Sequence, residues 1–172
     1  MQVINSNYED INTLFELYEA GTAYQKQMAK KHWEGFQRSQ VEKEIAEKRQ
    51  WKIVIDNEIA CVFVTGFQDP FIWKEKDKDP AIYLHRIAIN PKFRGQHFVR
   101  HIVAWAKQYA IEHHKFFIRM DTGAGNDKLN NYYISCGFTH LGEITYEYDE
   151  SLPEHYKDCS STLFEINLNT IM

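Results

Sequence analysis

Apolar residues near the N-terminus recur at helical spacing: Ile11, Leu14, Phe15 and Tyr18 share one face, and Ser6 with Glu9 has the spacing of a capping box. A helix ending at Gly21 is expected there, after a short strand at Val3 and Ile4. Ser39 and Glu42 repeat the capping spacing around Val41 and Ile45, which predicts a second helix; residues 22–38 between the two are aromatic-rich and less regular. The period then changes. Residues 51–55 and 59–67 are β-rich runs joined at Asp56, Asn57 and Glu58, the composition of a tight hairpin. The polar stretch 68–80, with its Lys-Glu-Lys-Asp-Lys-Asp run, reads as a solvated loop, and 81–89 as a strand stopped by Asn90-Pro91.

From residue 95 to 114, Phe98, Ile102, Trp105, Ala106 and Tyr109 recur at helical spacing and predict a long amphipathic helix, followed by a short strand at 116–120. Strand, crossover helix and strand make a βαβ unit, whose two strands run parallel. Asn126 can cap a helix through Leu129, Tyr132 and Tyr133 that stops at Cys136-Gly137. Strands over 138–148 and 162–168, separated by a loop with Pro153, complete the pattern.

The 172 residues suit one domain spanning 1–172, and a 15% aromatic share favours a packed core with a lined pocket over a disordered chain. A net charge of −4, with Lys and Arg scattered, argues against nucleic acid as a partner. The N-terminus lacks a basic and apolar leader, and no stretch is apolar for the length a membrane span needs, so a cytoplasmic protein without membrane association is expected. Cys61, Cys136 and Cys159 form an odd, widely spaced set that fits neither a disulfide framework nor a zinc site, and they read as reduced, buried thiols.

The element order β-α-α-β-β-β-α-β-α-β-β, the run Ile87-Ala88-Ile89-Asn90-Pro91-Lys92-Phe93-Arg94-Gly95 and, downstream, Asn126 followed by Tyr132-Tyr133-Ile134-Ser135-Cys136-Gly137-Phe138 together resemble the GNAT acetyltransferase family over nearly the whole chain. The resemblance implies an α/β fold of mixed α+β character, with a central mixed, mostly antiparallel sheet of about seven strands and flanking helices. It also implies a transferase that uses acetyl-CoA as cosubstrate, needs no metal, and passes the acetyl group to a primary amine in a ternary complex. A homodimer is in keeping with family habit.

On that resemblance, the strand over 84–89 is bulged and splayed, so that main-chain groups at Ile87, Ala88 and Ile89 pair with the pantetheine arm and an N–H near Ile87 faces the thioester oxygen. The loop and helix start formed by Arg94, Gly95, Gln96, His97, Phe98, Val99 and Arg100 would hold the pyrophosphate. His97 and Val99 stand where the family has two small residues, a departure that motivates a rival reading: a non-catalytic protein of this fold that senses CoA or an amine. Tyr133 takes the place of the tyrosine that protonates the departing thiolate; the bland alternative is a core tyrosine. Asn126 is a cofactor contact, a helix cap, or both. His85 is the candidate base, because a group titrating near neutrality suits proton removal; its alternative is a packed or solvated side chain while waters carry the proton. Arg86 is expected to serve as an ion-pair partner.

The acceptor pocket is expected among Tyr24, Met28, Trp33, Phe36 and Trp73, whose four aromatic rings suit an amine-bearing small molecule or a peptide amine. His97 and His101, one helical turn apart, read as a solvated face and not as metal ligands.

Overall fold

The computed structural model describes residues 1–28, 31–147, 150 and 159–170. Its backbone forms two compact units, one of residues 1–66 and 84–105, the other of residues 67–83 and 106–172.

The first unit holds β1 (Gln2–Asn5), α1 (Ile11–Met28), α2 (Arg38–Ala46), β2 (Gln50–Ile55), β3 (Glu58–Gly66), the second part of β4 (Ala81–Ile89) and the first part of α4 (Phe98–Glu112). The hairpin is as tight as its sequence requires. Ile55 stands opposite Glu58, and the two residues between, Asp56 (φ 49°) and Asn57 (φ 63°), are both left-handed, the turn that matches the twist of paired strands. Trp51 and Phe63 face one another across β2 and β3 and meet Trp105 of α4, with ring centroids 4.6 and 5.2 Å away. One residue along β3, Val62 points to the opposite face, where it joins Ile11, Leu14, Leu17, Tyr18, Val41 and Ile45 from α1 and α2, and Ala88 of β4. Different helices therefore cover the two faces of these strands.

Three expectations are corrected in this unit. Helix α1 does not stop at Gly21 but runs on to Met28. A Cβ at Gly21 would stand 2.8 Å from the Trp33 ring, so this glycine admits a close aromatic neighbour instead of ending the helix. The first capping box is one residue later than Ser6 and Glu9: the Glu9 N–H donates to Asn7 Oδ1 at 2.9 Å, and the Asn7 N–H donates to Asp10 at 2.8 Å. Helix α2 begins at Arg38 after Gln37, which makes no side-chain cap, so Ser39 lies within the helix.

The second unit holds α3 (Pro70–Trp73), the start of β4, β5 (Phe117–Gly123), α5 (Asp127–Ser135), β6 (Thr139–Thr145) and β7 (Ser160–Asn167). β4 runs parallel to β5, as the βαβ reading demands, while β7 is antiparallel to both β5 and β6. The strand order in the seven-stranded sheet is β1-β2-β3-β4-β5-β7-β6. Ile72, Trp73, Ala81, Tyr83 and Leu163 cluster on one face of this unit's strands. Phe164, the next residue on β7, turns the other way and packs on Tyr133 of α5 at 5.3 Å.

The charged stretch 68–80 is solvated at Lys74, Glu75, Lys76 and Lys78, as expected, but it is not an irregular loop. It folds as α3 followed by a 3-10 segment, Lys74–Lys78, and both are fastened by Arg119. That side chain is 1% exposed and donates to Glu165 (2.8 Å), Asp79 (2.5 Å), the Lys76 carbonyl (2.6 Å) and Tyr83 Oη (3.3 Å). Its guanidinium lies 4.8 Å from the ring centroids of both Trp73 and Phe117. The acidic and carbonyl groups of the run thus complete a buried cation. Tyr148 and Pro153, named in the strand and loop expectations, lie outside the described residues. Among the described residues no helix is long and apolar enough to cross a membrane.

Candidate active site

Strand β4 is irregular. Its ladder to β5 takes in Ala81, Ile82 and Tyr83, opposite Phe117, Ile118 and Arg119, and goes no further among the described residues. Farther along, Arg86 has φ 47°, a left-handed residue inside a strand, which marks a bulge. The far end is anchored: the Asn90 N–H donates to the Ala60 carbonyl at 2.9 Å, and its side-chain amide to the Ile59 carbonyl at 3.0 Å. These bonds place the end of β4 at the start of β3, so those two strands run antiparallel. Ala88 is buried against α1 and α2, while Ile87 and Ile89 are half-buried.

The expected ion pair of Arg86 is with Glu44 of α2. The guanidinium also lies 4.6 Å from the Phe36 ring and 5.3 Å from the Tyr18 ring. His85, half-buried beside it, does not titrate near neutrality. Burial first, then the charges of Arg86 and Arg49, push its pKa down to about 4, so the ring is neutral at physiological pH.

After β4, Asn90 Oδ1 accepts from the Lys92 N–H at 3.1 Å and opens a 3-10 turn, Pro91–Phe93. Arg94, Gly95, Gln96 and His97 are exposed, with Gly95 (φ 84°) and His97 (φ 54°) both left-handed. Phe98 and Val99 then turn into the core, 0% and 2% exposed. Of the two bulky residues in this loop, Val99 is therefore buried and only His97 stands on the surface. A helix start has no internal acceptors for its first N–H groups, and here those amides have exposed Arg94 and Arg100 nearby in sequence. This donor set fits a pyrophosphate. Among the described residues a Cβ at Gly95 would meet nothing within 4 Å, so the backbone there is open to close approach.

The five aromatic and apolar residues expected around an acceptor are placed differently from one another. Trp33 and Phe36, 5.5 Å apart, pack against the α1 and α2 core. Tyr24 and Met28 are exposed on the last turns of α1, where Tyr24 lies under the Arg94 guanidinium at 4.4 Å. Trp73 belongs to the second unit and is buried in its cluster. In that unit Asn126 caps α5, accepting from the Leu129 N–H at 3.1 Å, and Tyr133 is buried against Phe138 and Phe164.

Two carboxylates carry no signal in the sequence. An oxygen of Asp69 and one of Asp121 lie within 4.8 Å of each other. Burial, and then the charge of Asp121, raise the Asp69 pKa to about 7; burial also raises that of Asp121, which accepts from Ser161 Oγ at 3.0 Å. No local pattern announces them, because α3 and β5 bring them together from distant parts of the chain.

The sequence profile described as the Acetyltransferase (GNAT) family matches residues 12–138. The chain belongs to that family. Among curated GNAT relatives, the uncharacterized N-acetyltransferase YesJ of Bacillus subtilis (strain 168) is 24% identical over 143 residues, covering 78% of this chain and 79% of its own. Among solved structures, a GNAT acetyltransferase from Listeria monocytogenes superposes with a TM-score of 0.76 at 21% identity, covering 97% of this chain and 94% of its own. The Salmonella typhimurium protein yncA, solved with its cofactor acetyl-CoA, gives 0.70 at 11% identity, with 98% and 94% covered. These likenesses show the GNAT fold.

The GNAT assignment makes His97 a defined test. A residue with a Cβ at φ 54° is strained, and glycine is not. His97→Gly is expected to stabilise the protein by about 1 kcal/mol, raising Tm by roughly 2–4 °C in a thermal melt. An unchanged or lower Tm would mean that the imidazole contributes more than the strain costs.

Proposed function

We propose that this GNAT chain transfers the acetyl group of acetyl-CoA to a primary amine by direct attack within a ternary complex. One observation carries the reading: β4 stops pairing with β5 at Tyr83 and runs on through a bulge at Arg86. Main-chain groups of Ile87, Ala88 and Ile89 on that edge then serve a pantetheine arm as a neighbouring strand would. The amides opening α4, with Arg94 and Arg100, take the pyrophosphate.

The amine lone pair forms the C–N bond as the C–S bond breaks. The Ile87 N–H donates to the thioester oxygen as negative charge develops on it. Tyr133 Oη gives its proton to the leaving sulfur, and His85 takes the proton shed by the amine. With a pKa of about 4, His85 does not retain that proton at neutral pH and passes it to solvent. The pH dependence follows from this sign. Above about pH 5 His85 is already neutral, so the rate should rise with pH along the titration of the acceptor ammonium, with no inflection near 6.5. An inflection there that His85→Asn abolishes would mean that His85 titrates near neutrality and keeps its proton; kcat unchanged in His85→Asn would overturn its role in proton removal.

The decisive experiment mixes the wild-type protein with acetyl-CoA and a panel of small amines, amino acids and peptides. It follows thiol release, with mass spectrometry of the acetylated product. Turnover with intersecting double-reciprocal lines is expected. Calorimetric binding of CoA with no turnover on any amine would favour the sensor reading, and no heat of binding would remove both.

A further inference from the structure

We infer that Glu44 is a positioning residue for acetyl transfer, acting through Arg86 to hold the bulge in β4; this rests on the reading above, in which the Ile87 N–H faces the thioester oxygen. The bulge needs something to hold it. Arg86 sits at φ 47°, a region open to glycine and disfavoured for residues with a Cβ, and it directly precedes Ile87. Left to its backbone alone, an arginine there would relax toward a regular strand and re-aim the next amide.

The restraint comes from α2. The Glu44 carboxylate bonds Arg86 Nη2, and the two side chains are only 5% and 9% exposed. Phe36 and Tyr18 flank the guanidinium, and the Tyr18 ring is itself tied to the strands: its hydroxyl donates to Gln50 Oε1 at 2.7 Å, and the Gln50 amide donates to the Phe63 carbonyl at 3.2 Å. The charge is therefore fixed on more than one side. Among the described residues Arg86 Nη1 is buried without a hydrogen-bond partner, so the guanidinium is held chiefly through Nη2 and the two rings.

Buried ion pairs are often no more stabilising than apolar residues of the same volume, but they hold a fixed geometry. Glycine at position 86 would accept the left-handed φ without strain and without any tether to α2. Arginine accepts strain and supplies the tether. The residue found at the bulge is thus the one that holds it in place.

Two variants test this: Glu44→Gln, and Arg86→Gly combined with Glu44→Gln, which relieves the backbone and leaves no unpaired buried charge. Each is assayed well below its own Tm for kcat and for KM of acetyl-CoA, with CoA affinity measured by calorimetry. We expect kcat to fall about tenfold in Glu44→Gln and about 100-fold in the double variant, with CoA Kd within about twofold of wild type. A purely structural role would lower Tm and leave kcat of the folded protein unchanged, so kcat within about twofold of wild type in both variants overturns the inference. A loss carried wholly by CoA affinity also overturns it. If the double variant does not fold, Glu44→Gln alone decides. An active wild type with insensitive Glu44 variants removes this role alone; a wild type that acetylates no amine removes the reaction and this role with it.

Discussion

Replacing Tyr133 with Phe is expected to lower kcat about 100-fold while KM for acetyl-CoA changes less than about threefold. The substitution removes one oxygen and leaves the ring. Tyr133 is 8% exposed and packs through its ring on Phe138 and Phe164, at 6.2 and 5.3 Å, so phenylalanine keeps that ring packing. What is lost is a proton donor for the departing thiolate. Positioned general acids contribute about 10²–10⁴ to rate, and the lower end suits a leaving group that solvent can also protonate. Steady-state kinetics on the acceptor that wild type turns over would check this. An unchanged kcat would return Tyr133 to the role of a core tyrosine.

The second large effect is on stability. Arg119→Met keeps the volume but strands two carboxylates: Glu165, 15% exposed at its side chain, and Asp79, 43% exposed. Breaking a buried pair by removing one partner costs about 3–5 kcal/mol, because the other charge is left without compensation. For a chain of this size that is roughly a 10 °C drop in Tm. The Lys76 carbonyl and Tyr83 hydroxyl lose their donor as well, so the 3-10 segment Lys74–Lys78 should loosen first and exchange its amides faster. Combining Arg119→Met with Glu165→Gln removes the more buried of the two stranded charges and should recover part of the loss. A Tm within 2–3 °C of wild type for the single variant would show that the network contributes little.

The local features of the site were open to reading in the sequence. Asn126 as a cap, the strand at 81–89, the stop at Asn90-Pro91 and the long helix after the loop all depend on interactions spanning a few residues. Boundaries are less legible, for definable reasons. Gly21 looks like a helix stop until Trp33 is seen to need the space, and Ser39 looks like a cap until α2 is seen to begin ahead of it. The charged stretch 68–80 is legible in its exposure but not in its fold. Its composition is that of a solvated loop, and only the arrival of Arg119 from β5 gives it buried partners.

The chain by itself determined its strands and its longer helices, its hairpin and its membership of the GNAT family, because periodicity, turn chemistry and motif spacing are short-range properties written in consecutive residues. Tertiary structure alone decided that Glu44 meets Arg86, that Asp69 stands near Asp121, and that His85 is held neutral by burial beside Arg86 and Arg49. Charge pairing and desolvation act through space, and both depend on which distant segments the packed core brings together and shuts away from water.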